Sequence, residues 1–182
     1  GSQGSTGASS SEVLEYVGIP TLSAIQEAMD GLAEIDRSGE LTIVLMGGIK
    51  DGIDVAKALA LGADATAVGT AAIIAGGCIS CMQCHVGTCV VGIATQDPNH
   101  EARYNVPAEA LHIHHYLENV RWQLASIVEG LGYDDFRSLS RDDLVALTPE
   151  AAEITRLPYA PEYHRKPKPF AGLKPLLTER MS

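Results

Sequence analysis

The sequence predicts an α/β fold built on parallel strands. Two short apolar runs, Leu41–Met46 and Ala65–Val68, each end at a glycine and read as strands buried on both faces, which is typical of a parallel sheet. Between them a helix is predicted over Gly52–Leu61, because Asp51 suits its N-cap and Gly62 its end. A strand–helix–strand unit of this length pairs its strands in parallel. Two strands alone leave open edges, so we expect the sheet to be completed by strands outside this sequence.

Apolar periodicity predicts two further long helices. One runs from Thr21, a candidate N-cap, to about Ile35, with apolar residues on a single face. The longest helix candidate is Pro107–Leu131, where apolar residues recur at three- and four-residue steps before Gly132. Trp122 lies on this helix and is expected to be a core anchor.

The chain divides into three predicted segments. Residues 1–106 carry the sheet and a loop with four cysteines, residues 78–89, called the cysteine loop. Residues 107–156 form a helical C-terminal extension, and residues 157–182 form a proline-rich extended tail. Within the extension, Ser140 is expected to cap a helix over Arg141–Leu147.

Charge and composition exclude several classes of function. The 182 residues carry a formal net charge of -10, so nucleic acid is not an expected partner, because phosphate binding needs clustered cations. No apolar run reaches the roughly 18 residues that a membrane span needs, and the small, polar N-terminus does not resemble a signal peptide. All four cysteines lie close together, which favours a metal or cluster in a reducing compartment, and we expect the cytoplasm.

The two strand ends predict a phosphate site. Gly47 and Gly48 follow the first strand, and Gly69 and Thr70 follow the second. Glycine lets an anion approach the backbone N–H groups at such positions. The alternative is that these glycines only form tight turns between packed elements. Both strand ends, together with the alanine-rich residues 56–64 between them, favour phosphate binding.

The cysteine loop predicts a metal centre. Cys78, Cys81, Cys84 and Cys89 can converge on one iron–sulfur cluster, since they share a short glycine-containing loop. Zinc is the alternative metal, although structural zinc sites usually take two separated pairs of ligands. A purely structural role for four free cysteines in one loop is the weakest alternative.

This loop resembles a known family. Gly77-Cys78, Cys84-His85, Thr88-Cys89 and the run from Val91 to Pro98 are similar to the cluster loop of the glutamate synthase large subunit. The resemblance implies that Cys78, Cys84 and Cys89, spaced C-x5-C-x4-C, hold a [3Fe-4S] cluster beside a flavin. Cys81 has no counterpart in the family pattern. It makes a [4Fe-4S] cluster possible.

The similarity extends to the flavin-binding parts of the family. The opening resembles the glycine-rich loop after the sixth barrel strand, which implies FMN contacts from Ser5, Thr6 and Gly7, and residues 56–64 resemble the flavin-binding end of FMN barrels. The family fold is a (β/α)8 TIM barrel. The implied architecture is thus the C-terminal part of such a barrel, about the last two βα units, with a helical C-terminal extension.

The resemblance also implies a function. The complete enzyme would make L-glutamate by FMN-dependent reductive amination of 2-oxoglutarate, with electrons passing through the iron–sulfur cluster. Its partners would be the remaining barrel strands, in the same or another chain, an electron donor such as ferredoxin or an NAD(P)H-oxidising subunit, and a glutaminase domain that supplies ammonia. Catalytic residues are expected on the strands this sequence lacks. Two alternatives stay open: another FMN-barrel amine or imino-acid oxidoreductase, and a non-catalytic, cluster-carrying accessory subunit.

Two positions depart from the family pattern. Met46 stands where the family typically has an acidic residue, which removes a polar contact expected near the flavin. Val90 follows the last cysteine, where the family usually has proline.

Overall fold

The structure, a computed structural model, describes residues 9–37 and 39–162, and its helices pack around a two-stranded sheet. The helices are α1 (Ser11–Tyr16), α2 (Thr21–Glu34), α3 (Gly52–Ala60), α4 (Thr70–Ala75), α5 (Pro98–Glu101), α6 (Val106–Gly130) and α7 (Pro149–Thr155). The strands are β1 (Val44–Met46) and β2 (Ala65–Ala67). Single 3-10 turns occur at Cys84–Val86, Phe136–Ser138, Arg141–Asp143 and Ala160–Glu162.

The predicted strand–helix–strand unit is confirmed. β1 and β2 pair in parallel, with Leu45 opposite Thr66, and α3 connects them. The Asp51 carboxylate caps α3 by accepting a hydrogen bond from the Asp54 backbone N–H at 2.9 Å. Gly62 ends this segment with a φ of 115°, a conformation that glycine adopts without strain. Both strands are shorter than their apolar runs.

The prediction that both strands are buried on both faces is wrong for the described chain. In β2, Ala65 is exposed, and Thr66 and Ala67 are only partly buried. Leu45 is buried, whereas Val44 and Met46 are 55% and 62% exposed. Successive side chains of a strand point to opposite faces. The helices in the described part of the chain therefore cover only the face to which Leu45 belongs.

The core lies between this covered face and two helices. Ile25 of α2 and Val55 of α3 are buried together with Leu45. The same cluster is completed by Ile49, Ala58, Leu61 and Ala63. Burial of a large aliphatic side chain contributes about 1.5–3 kcal/mol, so this cluster ties β1, α2 and α3 into one unit.

A second cluster joins α3 to α6. Ala56 and Ala60 of α3 are buried against Val128 of α6. At the start of α3, a Cβ added to Gly52 would lie only 2.7 Å from Gln123 Cβ. Gln123 Oε1 also accepts a hydrogen bond of 2.8 Å from the Gly52 N–H. The small residues at four-residue steps thus let the two helices approach closely.

One capping prediction and one helix prediction need correction. Thr21 is the first residue of α2 and not its cap; Pro20 occupies the N-cap position. The Thr21 hydroxyl is buried and has no hydrogen-bond partner within the described residues. Ser140 does act as a cap, with a capping box that includes Asp143, but the element after it is one 3-10 turn and not the helix predicted over Arg141–Leu147.

The long helix is confirmed, but the role predicted for Trp122 is wrong. α6 spans 25 residues and packs against α3 and α4. Trp122 is 68% exposed because it lies on the α6 face that neither helix covers. Within residues 9–37 and 39–162, no helix is both long enough and apolar enough to cross a membrane.

Only the start of the predicted proline-rich tail lies in the described chain. Tyr159 forms a parallel bridge with Ala146, and a 3-10 turn follows. Residues 163–182 lie outside the described residues.

Candidate functional site

The structure brings the two predicted strand ends into one cavity. Gly47, Gly48, Gly69 and Thr70 all line a cavity of about 320 Å³ at the carboxyl ends of β1 and β2. Parallel pairing places both ends at the same edge of the sheet, as in the ligand crevices of α/β folds. The geometry therefore agrees with a shared binding site.

The glycines of this cavity differ in conformation. Gly47 and Gly48 have φ values of 118° and 72°, which side chains rarely allow. Gly69 has a negative φ, and a Cβ added there would meet no atom within 4 Å. The space beside Gly69 is therefore not used for packing within the described chain, which leaves room for a ligand.

Lys50 is a functional candidate that the sequence analysis missed. It lines the cavity, and its ammonium group forms an ion pair with Asp54 Oδ2 at 2.6 Å. This hydrogen bond is the main cause that raises the Lys50 pKa. Lys50 therefore places an ammonium group, paired with the Asp54 carboxylate, at the edge of the cavity. The sequence pattern that could have identified it is a lysine two residues after the Gly47-Gly48 pair.

The Lys50 ion pair is built into the surrounding helices. Burial acts to raise the Asp54 pKa, but the hydrogen bond and charge of Lys50, together with the charge of Lys57, lower it overall. The Tyr116 hydroxyl of α6 donates a hydrogen bond of 2.9 Å to the Lys50 carbonyl oxygen. Both α3 and α6 thus fix the backbone that carries Lys50.

The remaining wall of the cavity is apolar. Met46, Ala67 and Ile74 line it. Met46 stands at the position where an acidic residue was expected, so this wall offers a thioether in place of a carboxylate.

Helix α4 joins the cavity directly to the cysteine loop. Thr70 starts the helix at the cavity, and Cys78 follows its end. Gly77 has a φ of 91°, its N–H bonds to the Ile74 carbonyl, and the Cys78 N–H bonds to the Ile73 carbonyl. These bonds form a Schellman motif. Cys78 is therefore held by the end of the helix whose start lines the cavity.

The other cysteines lie on a compact turn that follows. Cys84 begins a 3-10 turn, which ends at Gly87 in the left-handed conformation. An antiparallel bridge between Thr88 and Thr95 then encloses Cys89. Cys89 is buried, whereas the other three cysteines are partly exposed. All four are free thiols.

Cys89 has the environment of a thiolate ligand. Burial is the largest single influence and acts to raise its pKa, but the backbone N–H groups of Ala94, Val91, Ile93 and Gly92 together lower it. Successive N–H groups that point to one atom form a nest that favours negative charge. A thiolate is the form of cysteine that binds metals.

Cys84 shows that the thiols influence one another. Burial, and then the charges of Cys78, Cys81 and Cys89, raise its pKa. A cationic iron centre would offset this repulsion, so the donor set fits a cluster. Among the described residues, however, no three His, Cys, Asp or Glu side chains are gathered in an arrangement that holds a single metal ion. The ligand assignment stays a prediction.

Cys81 lies between two residues in an uncommon conformation. Ser80 and Met82 have φ values of 54° and 57°, in the left-handed region that residues other than glycine seldom adopt.

The other predicted FMN contacts, Ser5, Thr6 and Gly7, lie outside the described residues.

Comparison with known proteins defines the family. Residues 1–134 match the family model described as a conserved region in glutamate synthase. The chain belongs to the glutamate synthase family. The predicted resemblance is thereby confirmed, and the match includes both strand ends and the whole cysteine loop.

The chain is similar to several proteins named as glutamate synthases or as glutamate synthase-like. A glutamate synthase large subunit-like protein of Rhizobium meliloti (strain 1021) is 36% identical over 176 residues, which cover 88% of this chain and 40% of that protein. An archaeal-type glutamate synthase (NADPH) of Thermotoga neapolitana is 40% identical over 139 residues, covering 76% of this chain and 27% of that protein. An archaeal glutamate synthase (NADPH) of Methanocaldococcus jannaschii is 35% identical over 166 residues, which cover 89% of this chain and 32% of that protein. The chain thus spans less than half the length of these relatives.

Proposed function

We propose that this chain is the FMN- and cluster-binding part of a glutamate synthase-type oxidoreductase. The complete enzyme makes L-glutamate by reductive amination of 2-oxoglutarate, and electrons reach the flavin through the iron–sulfur cluster. The observation that carries the proposal is α4, whose first residue lines the strand-end cavity and whose terminating hydrogen bonds fix Cys78. A helix of six residues spans about 9 Å, so the two cofactors would lie close together.

The cavity would hold the flavin phosphate. Gly47 and Gly48 present backbone without a side chain, the open space at Gly69 admits the anion, and the Lys50 ammonium adds positive charge. The ion pair with Asp54 holds the Lys50 ammonium group at the cavity edge. Bound FMN would supply the hydride chemistry, while the protein sets its position.

Cys78, Cys84 and Cys89 would hold the cluster. The N–H groups around Cys89 stabilise its thiolate, and the end of α4 positions Cys78. The cluster would supply single-electron transfer to the flavin. Three iron atoms need only three thiolates, so a [3Fe-4S] cluster is favoured, and Cys81 is the candidate ligand should the cluster be [4Fe-4S].

The exposed sheet face supports a shared barrel. Val44 and Met46 lie uncovered on β1. We infer that further strands of a (β/α)8 barrel extend this sheet and supply the catalytic residues. An NADPH-oxidising subunit or ferredoxin would act as electron donor, in line with the relatives named as NADPH-dependent.

Activity of the complete enzyme tests the proposal. Purified anaerobically with its electron donor, the enzyme should convert 2-oxoglutarate and ammonia, or glutamine, to L-glutamate, and acid should release FMN from it. An enzyme that holds FMN and iron but acts on another imino acid would favour the related oxidoreductase, for which Met46 in the cavity wall is the supporting observation. Iron without any flavin would favour the accessory subunit.

A further inference from the structure

Tyr104 contacts both ends of the cysteine loop. It lies between α5 and α6, and its hydroxyl donates a hydrogen bond of 2.9 Å to the Gly76 carbonyl oxygen, two residues before Cys78. A Cβ added to Gly92, three residues after Cys89, would lie 3.2 Å from Tyr104 Cβ. The half-buried Tyr104 therefore bonds to the start of the loop through its hydroxyl and lies beside the returning loop with its Cβ.

Both contacts depend on glycine. A Cβ at Gly76 would stand 3.2 Å from the Tyr104 hydroxyl and 2.9 Å from Ile113 Cδ1. Gly92 has a φ of 87°, and a Cβ there would also clash with the His100 carbonyl oxygen. A side chain at Gly92 would therefore meet backbone that cannot move aside, whereas one at Gly76 would require Ile113 and Tyr104 to shift.

Each contact leads directly to a predicted ligand. Gly76 is the C-cap of α4, whose terminating hydrogen bonds hold Cys78. The Gly92 N–H bonds to the Cys89 carbonyl oxygen at 3.2 Å. A displacement at Tyr104 would thus change the separation of Cys78 and Cys89 without touching either thiol.

A carboxylate secures the same end of the loop from α6. Glu109 lies against Gly77, where an added Cβ would be 3.1 Å from its Cδ, and it pairs with His112 Nδ1 at 2.9 Å. The start of α6 therefore packs against the residue that precedes Cys78, and Tyr104 adds the connection to the far end.

We propose that Tyr104 is a positioning residue that fixes the two ends of the cysteine loop to each other and so sets the spacing of Cys78 and Cys89. This inference rests on the proposed function, because the spacing matters to a cluster that both thiolates bind. The geometry of thiolate ligation and of hydrogen bonds near the sulfurs determines the spectrum and potential of such a cluster.

The test compares Tyr104→Phe with Tyr133→Phe in the complete enzyme, purified anaerobically. Tyr133 is a matched control, since its hydroxyl also makes a 2.9 Å hydrogen bond, to Asp143, away from the loop. Tyr104→Phe should alter the low-temperature EPR line shape of the cluster and release iron to a chelator about fivefold faster, the ratio that corresponds to one ordinary hydrogen bond. FMN content should stay at the wild-type level.

Amide hydrogen exchange provides a readout that needs no cluster. Tyr104→Phe loses the hydrogen bond to Gly76 but keeps the Cβ beside Gly92, so exchange at Cys78 should rise more than exchange at Gly92. In Tyr133→Phe, exchange at neither position should rise. A wild-type enzyme without iron would refute the proposed function, and the exchange data would then decide the role of Tyr104 alone. Wild-type exchange in Tyr104→Phe, or equal changes in both variants, would overturn the positioning role.

Discussion

Gly69 differs from Gly47 and Gly48 in its backbone conformation and in the open space around it. The two glycines after β1 have positive φ, so any substitution there strains the backbone. Gly69 has a negative φ and open space where a Cβ would lie. A side chain introduced at Gly69 should therefore affect only ligand binding. One introduced at Gly48 should affect ligand binding and also strain the backbone.

Gly69→Leu should weaken FMN binding at least about tenfold, equivalent to about 1.4 kcal/mol. The reason is that the new side chain would occupy the space in which the phosphate is expected to lie. The flavin-to-protein ratio of the complete enzyme, measured after acid release, checks this. Gly31→Leu is the matched control, because an added Cβ at Gly31 also meets no atom within 4 Å but lies on α2, away from the cavity. Full flavin content in Gly69→Leu would count against the phosphate assignment.

Site residues were predictable from the sequence where a local pattern carries the chemistry. The four cysteines and the strand-end glycines are of this kind. Lys50 was missed because its proximity to the cavity depends on the β1–β2 pairing and on the Asp54 ion pair. The N–H groups around Cys89 could not be foreseen either, since they depend on the Thr88–Thr95 bridge and the positive φ of Gly92.

At the scale of elements, α3 and α6 form the frame that carries the site. The start of α3 is pressed against α6 at Gly52, where an added Cβ would lie 2.8 Å from the Leu124 backbone nitrogen and would clash with the Val120 carbonyl oxygen. Backbone atoms cannot move aside as a side chain can. The two helices would have to separate to admit even a methyl group.

Gly52→Ala should destabilise the complete enzyme by about 1–3 kcal/mol, the usual cost of overpacking. Gly31→Ala is the control and should be neutral or stabilising by up to about 1 kcal/mol, because alanine favours a helix and finds open space there. Chemical denaturation monitored by circular dichroism measures both. Equal stability of Gly52→Ala and wild type would show that the helices are less closely packed than described.

The helices themselves were largely predictable, and the exceptions have physical causes. Periodicity and end signals located α2, α3 and α6 to within a residue or two. The helix predicted after Ser140 stops after one turn because Ala146 pairs with the chain near Tyr159; its N–H bonds to the Pro158 carbonyl oxygen and its carbonyl accepts from the Ala160 N–H. Tertiary pairing therefore prevails over local helix preference.

At the scale of the whole molecule, apolar surface remains uncovered. Val44 and Met46 are exposed on one face of the sheet, and both edges of the sheet are open within residues 9–37 and 39–162. Exposed apolar faces and open strand edges favour association. That further strands complete this sheet stays a prediction from the sequence, because two parallel strands alone do not form a stable sheet.

Expressed alone, this chain should therefore be oligomeric or poorly folded. Size-exclusion chromatography with light scattering, together with urea denaturation, checks this. Co-expression with the remaining barrel strands should give a soluble, cooperatively unfolding assembly. A verified monomer of the isolated chain that unfolds in one cooperative transition would contradict the inference that the sheet is incomplete.

The central claim is that Cys78, Cys84 and Cys89 bind iron beside a flavin. Low-temperature EPR of the oxidised, anaerobically purified complete enzyme tests it most directly. The expected result is a three-iron signal that persists in Cys81→Ser and disappears in Cys84→Ser. A wild type that is silent when oxidised and active when reduced, with iron lost in Cys81→Ser, would indicate a four-iron cluster instead. Zinc in place of iron in the native protein would contradict the electron-transfer role altogether.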